Sequence, residues 1–199
     1  MVNERVFQEV YDSFYAPIFR YLKRLVGENE AEEVTHAVFE KVSRKLESFK
    51  GDSKLSTWLY RIATNAALDK LKSSSFKHSP VGPIAPLPIH SLETENSVSR
   101  CSGNQAPLDK KIIREEMSEC VREFIDRLPP DYRTIITLNE IEGFSNVEIA
   151  EILQISLETA KIRLNRARAK LKRNLEVGCD FYIDERSELA CDRKQPFSK

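Results

Sequence analysis

Between Ser73 and Pro107 five prolines (Pro80, Pro83, Pro86, Pro88 and Pro107) fall among many serines and two glycines, and little helical or strand periodicity is left there. Proline removes a backbone donor and biases the residue before it away from the helical region, so the stretch is poor material for a helix or a central strand. A structureless run of this length is uncommon inside a compact domain, and it reads as a linker partly extended by its prolines. The 199 residues are thereby divided into two short halves, each left to build its own small core.

Both halves carry helical spacing. Phe7, Tyr11, Phe14, Ile18, Leu22 and Leu25 recur at threes and fours, with Pro17 placed to kink the helix they define. Gly27 is expected to end it and Asn29 to cap the next, which carries Val34, Val38, Val42 and Leu46. A third helix follows through Leu55, Leu59, Ile62, Ala66 and Leu71. Beyond the linker, Ile113, Met117, Cys120, Val121, Phe124 and Leu128 form a stripe stopped by Pro129-Pro130. Tyr132, Ile135, Ile136 and Asn139 lead to Gly143, a left-handed stop, and Ser145 with Glu148 spells a capping box. Ser156 caps the last helix. No segment alternates over a sustained length, so the expected fold is all-α: two small helical domains, residues 1–72 and 108–176, joined by the Pro/Ser-rich linker 73–107, with a Cys-containing extension over 177–199.

Charge singles out the last helix. Lysine plus arginine equals aspartate plus glutamate at 31 each, yet Lys161 to Arg173 holds seven basic side chains and no acidic one. Attraction to a polyanion must then come from this patch. Ala160, Leu164, Ala167 and Leu171 line one face, small enough at the alanines for close packing, and the opposite face is polar and cationic. A capped helix, a short turn and a basic helix form a helix-turn-helix pattern, in which the first turns reach base edges and later cations meet phosphate. The expected base-proximal residues are Glu158, Thr159, Lys161, Ile162, Asn165 and Arg166, and the backbone-proximal ones Arg163, Arg168, Lys172 and Arg173. The bland alternative is a solvated amphipathic helix.

Two separated motifs resemble one family. Leu128-Pro129-Pro130-Asp131-Tyr132-Arg133, then Glu140-Ile141-Glu142-Gly143-Phe144-Ser145 and Glu148-Ile149-Ala150-Glu151-Ile152-Leu153, resemble the promoter-reading C-terminal domain of bacterial RNA polymerase sigma factors. Phe49-Lys50-Gly51-Asp52-Ser53 followed by Thr57-Trp58-Leu59-Tyr60-Arg61-Ile62-Ala63-Thr64-Asn65 and Asp69 resembles the core of their N-terminal domain. Two domains, a linker and nothing larger are similar to the extracytoplasmic-function (ECF) subclass. The resemblance implies that the helix from Asn29 to Leu46 docks on the clamp helices of the polymerase largest subunit, through Glu30, Glu33, Phe39 and Arg44, and that the C-terminal domain meets the flap region. It implies a loop holding an unstacked base of the −10 element at Lys50, Asp52, Ser53 and Lys54, with Arg61, Asn65, Lys70 and Lys72 near the single strand. The linker would hold the two reading heads apart, and an anti-sigma factor is a further possible partner. His36, Ala37, Ser43, Leu55 and Gln154 depart from the family pattern.

No cofactor and no catalysis are expected: three histidines (His36, His78, His90) and no glycine-rich phosphate loop offer no site. No apolar run spans a bilayer and the start shows no signal-peptide pattern, so a cytoplasmic protein without membrane insertion is expected. The alternative function is a stand-alone helix-turn-helix regulator. The four cysteines do not form a disulfide framework. Cys120 reads as core and Cys101 sits in the linker. Cys179 and Cys191 read as free thiols of a tail, with a metal or redox pair as the sharper alternative, although their spacing is not a zinc signature.

Overall fold

The computed structural model describes residues 4–75, 120–183 and 189–194. The expected linker lies outside the described residues apart from Ser73 to Ser75, which extend the third helix; Cys101, Ile113 and Met117 lie outside them as well.

The first stripe buries Val10, Ile18, Tyr21, Leu22 and Leu25 on α1 (Glu4–Val26), which runs on through Pro17. Gly27 then turns the chain in one residue, at φ 88°, and serves as N-cap of α2 (Glu28–Lys45). Asn29 is therefore inside the first turn of α2 and not its cap, because the positive φ of Gly27 leaves no second residue for a turn. A 3-10 turn (Leu46–Ser48) and a loop lead to α3 (Leu55–Ser75). Two hydroxyls in this core satisfy each other: Tyr21 and Thr64 hydroxyls lie 2.7 Å apart, and Thr64 Oγ1 donates to the Tyr60 carbonyl at 2.6 Å.

In the second half, α4 (described over 120–126) ends at Pro129-Pro130, and Pro130 opens α5 (Pro130–Ile136) at a position where its missing donor is not needed. The helix widens into a π turn (Thr137–Ile141), a feature without a local sequence signal, before Gly143 closes it at φ 77°. The Ser145/Glu148 capping box starts α6 (Asn146–Leu153), with both reciprocal bonds made. Gln154 takes the left-handed turn (φ 53°, ψ 45°), and Ser156 caps α7 (Leu157–Gly178) by accepting the Thr159 N–H at 3.1 Å.

The all-α fold expected from the sequence holds, and the extension adds one small hairpin to it. Strands β1 (Cys179–Ile183) and β2 (Leu189–Arg193) pair antiparallel, with Phe181 opposite Cys191. Gly178 allows α7 to end there: a Cβ on it would lie 2.4 Å from the buried Phe124 ring of α4. The five residues of β1 do not alternate in polarity, and strand pairing is set by a partner ten residues on, so periodicity did not reveal it.

The halves do not stand apart in this structure; they share one continuous apolar core. The rings of Tyr60 and Phe144 meet edge to face at 4.7 Å between centroids. Glu142 accepts the Tyr60 hydroxyl at 2.6 Å and faces Arg24 at 3.5 Å. Arg133 Nη1 donates to the Leu25 carbonyl at 3.2 Å, in the last turn of α1, while Nη2 reaches the Leu128 carbonyl at 3.3 Å.

Candidate nucleic-acid interface

Helix α7 is sorted by face as its spacing demands. Ala160, Leu164 and Ala167 are buried, and Leu171 is half-buried behind them. Glu158, Lys161, Ile162, Asn165, Arg166, Lys170, Lys172 and Arg173 are exposed, while Arg163 is half-buried. Ile162 is 41% exposed, an apolar side chain standing in a cationic surface. Three expected contacts are engaged within the chain, Lys172 loosely with Glu176 at 3.8 Å. Arg168 reaches back to α5 and its π turn, bonding Glu140 Oε1 and Asn139 Oδ1 at 2.8 Å each. Thr159 shares its hydroxyl with the cap Ser156 at 2.7 Å. What remains outward is a compact positive field on a neutral chain, the arrangement that attracts phosphate without charging the whole protein.

A second concentration of polar groups lies at the loop before α3. Gly51 turns at φ 78°, and Lys50, Asp52, Ser53 and Arg61 surround a pocket of about 330 Å3 floored by Phe49 and Trp58. Trp58 is only 8% exposed and its ring lies 5.2 Å from Phe49, so it forms the wall of the pocket and not a free platform. The volume and the mix of two rings with cations and hydroxyls suit one planar, phosphate-bearing ligand. Glu151 of α6 stands at the rim. Asn65 and Lys72 are exposed further along α3, on the helical face that Arg61 begins.

Other expected site residues are placed differently. Lys54 is bound to Glu148 at 2.8 Å, across the two halves. That bond first, and then the Ser145 backbone and hydroxyl donors, hold the Glu148 carboxyl down at about 2. Lys70 lies between Glu30 (2.5 Å) and Glu33 (2.9 Å), so one expected DNA contact and two expected polymerase contacts satisfy each other. Phe39 requires a correction: it is 3% exposed, with its ring 4.9 Å from Tyr11 and 5.7 Å from Tyr15, and belongs to the core rather than to a docking surface. Its place on the stripe of Val38 and Val42 was the available signal. Arg44 is exposed and paired with Glu40 one turn away.

The Sigma-70 region 2 family model matches residues 10–76, and the Sigma-70, region 4 model matches residues 118–171. The ECF RNA polymerase sigma factor SigW of Bacillus subtilis is 30% identical over 174 residues, covering 87% of this chain and 90% of that one. The chain belongs to the ECF sigma factors. The ECF sigma-E factor of Escherichia coli K12 is likewise 30% identical over 174 residues, 87% of this chain and 88% of its own. In fold, the sigma factor is similar to RpoE of Bartonella quintana, solved with the anti-sigma factor NepR (TM-score 0.60, 20% identity, covering 87% of this chain and 98% of that one). The region 2 match removes the stand-alone regulator as a reading, and sigma factors are not a family of enzymes. Among the described residues, no helix of this sigma factor is long and apolar enough to cross a membrane.

Sequence reasoning missed Glu142, Glu148 and Glu151 as the acids that lie against the first half, and it missed Cys120 as a neighbour of the tail cysteines. None of these contacts has a local pattern, since each joins residues far apart in the chain.

Proposed function

We propose that this sigma factor grips a promoter at two points: α7 reads the upstream −35 element, and the pocket before α3 receives an extruded base of the −10 element. In this reading residues 1–72 bind core polymerase through Glu30, Glu33 and Arg44 and melt DNA with Lys50, Asp52, Ser53, Lys54, Arg61, Asn65 and Lys72. Residues 108–176 bind the flap region and upstream DNA, residues 73–107 connect the two, and 177–199 form an appendage. Glu158, Lys161, Ile162, Asn165 and Arg166 lie nearest the bases, with Arg163, Lys172 and Arg173 toward phosphate. The protein acts in the cytoplasm, needs no cofactor and performs no chemistry of its own. By analogy with the Bartonella pair, an anti-sigma factor is among its partners.

The observation that carries this reading is the sorting of α7, an alanine-leucine face sunk in the core and a cationic face left outward. The packing of the halves adds a condition. Glu151 rims the pocket, and Lys54, next in sequence to the pocket residue Ser53, is held by Glu148, so a strand phosphate that draws on Lys54 must displace the Glu148 carboxylate. DNA binding and separation of the halves are then coupled, because strand phosphate and Glu148 compete for Lys54.

Promoter-directed transcription with reconstituted polymerase tests the residue roles. Arg166→Ala should weaken upstream recognition by about 1–3 kcal/mol and relax preference at one base position. Lys172→Ala should weaken all sequences alike and lower the salt slope by about 1. Unchanged promoter selection by Arg166→Ala sinks the base-reading role, and a sequence-selective loss in Lys172→Ala moves that residue to a base edge.

A further inference from the structure

Three thiols converge where the appendage meets the second half. Cys120 opens the described part of α4, Cys179 follows the last residue of α7 and Cys191 lies in β2. Their sulfurs all lie within 4.8 Å of one another, and Cys120 Sγ and Cys179 Sγ are 3.8 Å apart. The register explains how two of them meet: Cys179 pairs with Arg193 and Phe181 with Cys191, so the two cysteines are diagonal neighbours on one face of the hairpin. The third comes from a helix fifty-nine positions before Cys179 in sequence. Cys179 is 2% exposed while Cys120 and Cys191 are half-buried, which leaves the cluster enclosed on one side and open on the other.

We propose that Cys120, Cys179 and Cys191 are a three-thiolate site for one thiophilic cation of the Zn(II), Cd(II) and Cu(I) class. With metal–sulfur bonds of about 2.3 Å in tetrahedral geometry, neighbouring sulfurs stand about 3.8 Å apart, the separation of Cys120 and Cys179. A disulfide needs about 2.05 Å between its sulfurs and would leave the third thiol without a role. Packing alone gives no reason for three cysteines from three elements to meet, since small apolar side chains fill such a space equally well. Soft thiolates select this class of cation over Mg(II) or Ca(II). On binding, each thiol gives its proton to the buffer as its sulfur–metal bond forms, and no electron is transferred. A fourth position stays open to water or a small thiol, because the described residues bring only three ligands together. The occupied site would tie the hairpin to the start of α4 and the end of α7, and hold Phe181 over Val121, Ile125, Leu171 and Leu175. The proposal does not depend on how DNA or polymerase is bound.

The test uses the full-length reduced protein, titrated separately with Zn(II), Cd(II) and Cu(I), and with Co(II) as a spectroscopic probe. The expected result is one equivalent per chain, a thiolate-to-cobalt charge-transfer band, and protection of three of the four cysteines from a thiol reagent. Competition among the three metals then identifies which one the site prefers. Cys101→Ser should leave affinity unchanged, whereas Cys120→Ser and Cys191→Ser should each lower it by at least about 100-fold, more than loss of an outer-shell partner does. Circular dichroism of each variant checks that the helices persist; should a variant fail to fold, thiol protection in the unaltered chain decides. Four equally reactive thiols in the presence of metal, no charge-transfer band, or full affinity retained in Cys191→Ser would overturn the site. So would air oxidation to a Cys120–Cys179 disulfide in a protein that takes up no metal.

Discussion

Replacing Tyr60 by phenylalanine removes a single oxygen from the seam between the halves. That oxygen donates to Glu142 Oε2 at 2.6 Å, Tyr60 is 5% exposed, and the Glu142 side chain is 14% exposed. Burial first, and then the bond to the carboxylate, push the phenol well above its ordinary range, so it is a donor at every physiological pH. A hydrogen bond to a charged group contributes about 1.5–3 kcal/mol net, and the partly open seam places this one near the lower end, about 1.5–2 kcal/mol. The ring contact with Phe144 survives the substitution, so the loss isolates the polar bond. Urea denaturation of Tyr60→Phe, Glu142→Ala and the double variant gives the coupling directly. We expect a coupling of at least about 1 kcal/mol. Because about 1.4 kcal/mol is a tenfold change in an equilibrium, Tyr60→Phe should also favour separated halves by about ten- to thirtyfold. Additive effects within about 0.3 kcal/mol would refute the idea that this bond holds the halves together.

Glu148 gives a pH dependence with a definite sign. Its carboxyl is depressed from an ordinary 4.5 to about 2, so its stabilisation is fully present above 4.5 and is lost as pH falls toward 2. Thermal melts between pH 5 and pH 2.5 should show that loss, and Lys54→Ala, which removes the largest cause, should flatten it; an unchanged slope in Lys54→Ala contradicts the assignment. Gln154 holds the left-handed turn between α6 and α7 at φ 53°, so Gln154→Gly should raise stability by about 0.5–1 kcal/mol with the fold unchanged. A destabilised Gln154→Gly protein would mean that the glutamine side chain, not the backbone, matters at that turn.

Features decided within a few residues could be read in advance. The capping box of Ser145 and Glu148, the Ser156 cap, the left-handed Gly143 and the inner face of α7 all depend on spacings of one helical turn, and all are made as the spacing requires. Features decided by distant partners could not. Lys70 looked free for nucleic acid until α2 brought Glu30 and Glu33 against it, and Phe39 looked available until Tyr11 and Tyr15 closed over it. The seam through Tyr60, Glu142, Lys54 and Glu148 joins residues more than eighty positions apart. The cysteine cluster is of the same kind, since the hairpin register and the end of α7 set it together.

The packed seam also joins the two surfaces that the proposed promoter grip would use. The acids that close on the first half are Glu142, which follows the π turn, and Glu148 and Glu151 of α6, shortly before the cationic helix α7. Pulling α6 away would free Lys54 from Glu148 and withdraw Glu151 from the rim of the pocket in one movement.

The central claim is a two-point promoter grip completed by polymerase, and its most direct test is transcript mapping. Core polymerase with the full-length chain should be run on fragmented genomic DNA and the 5′ ends of the products sequenced. Start sites absent without the chain are expected, each preceded by two sequence elements at a constant spacing, with Arg166→Ala relaxing only the upstream one. Start sites sharing no common upstream element, or unchanged by the presence of the chain, would contradict it.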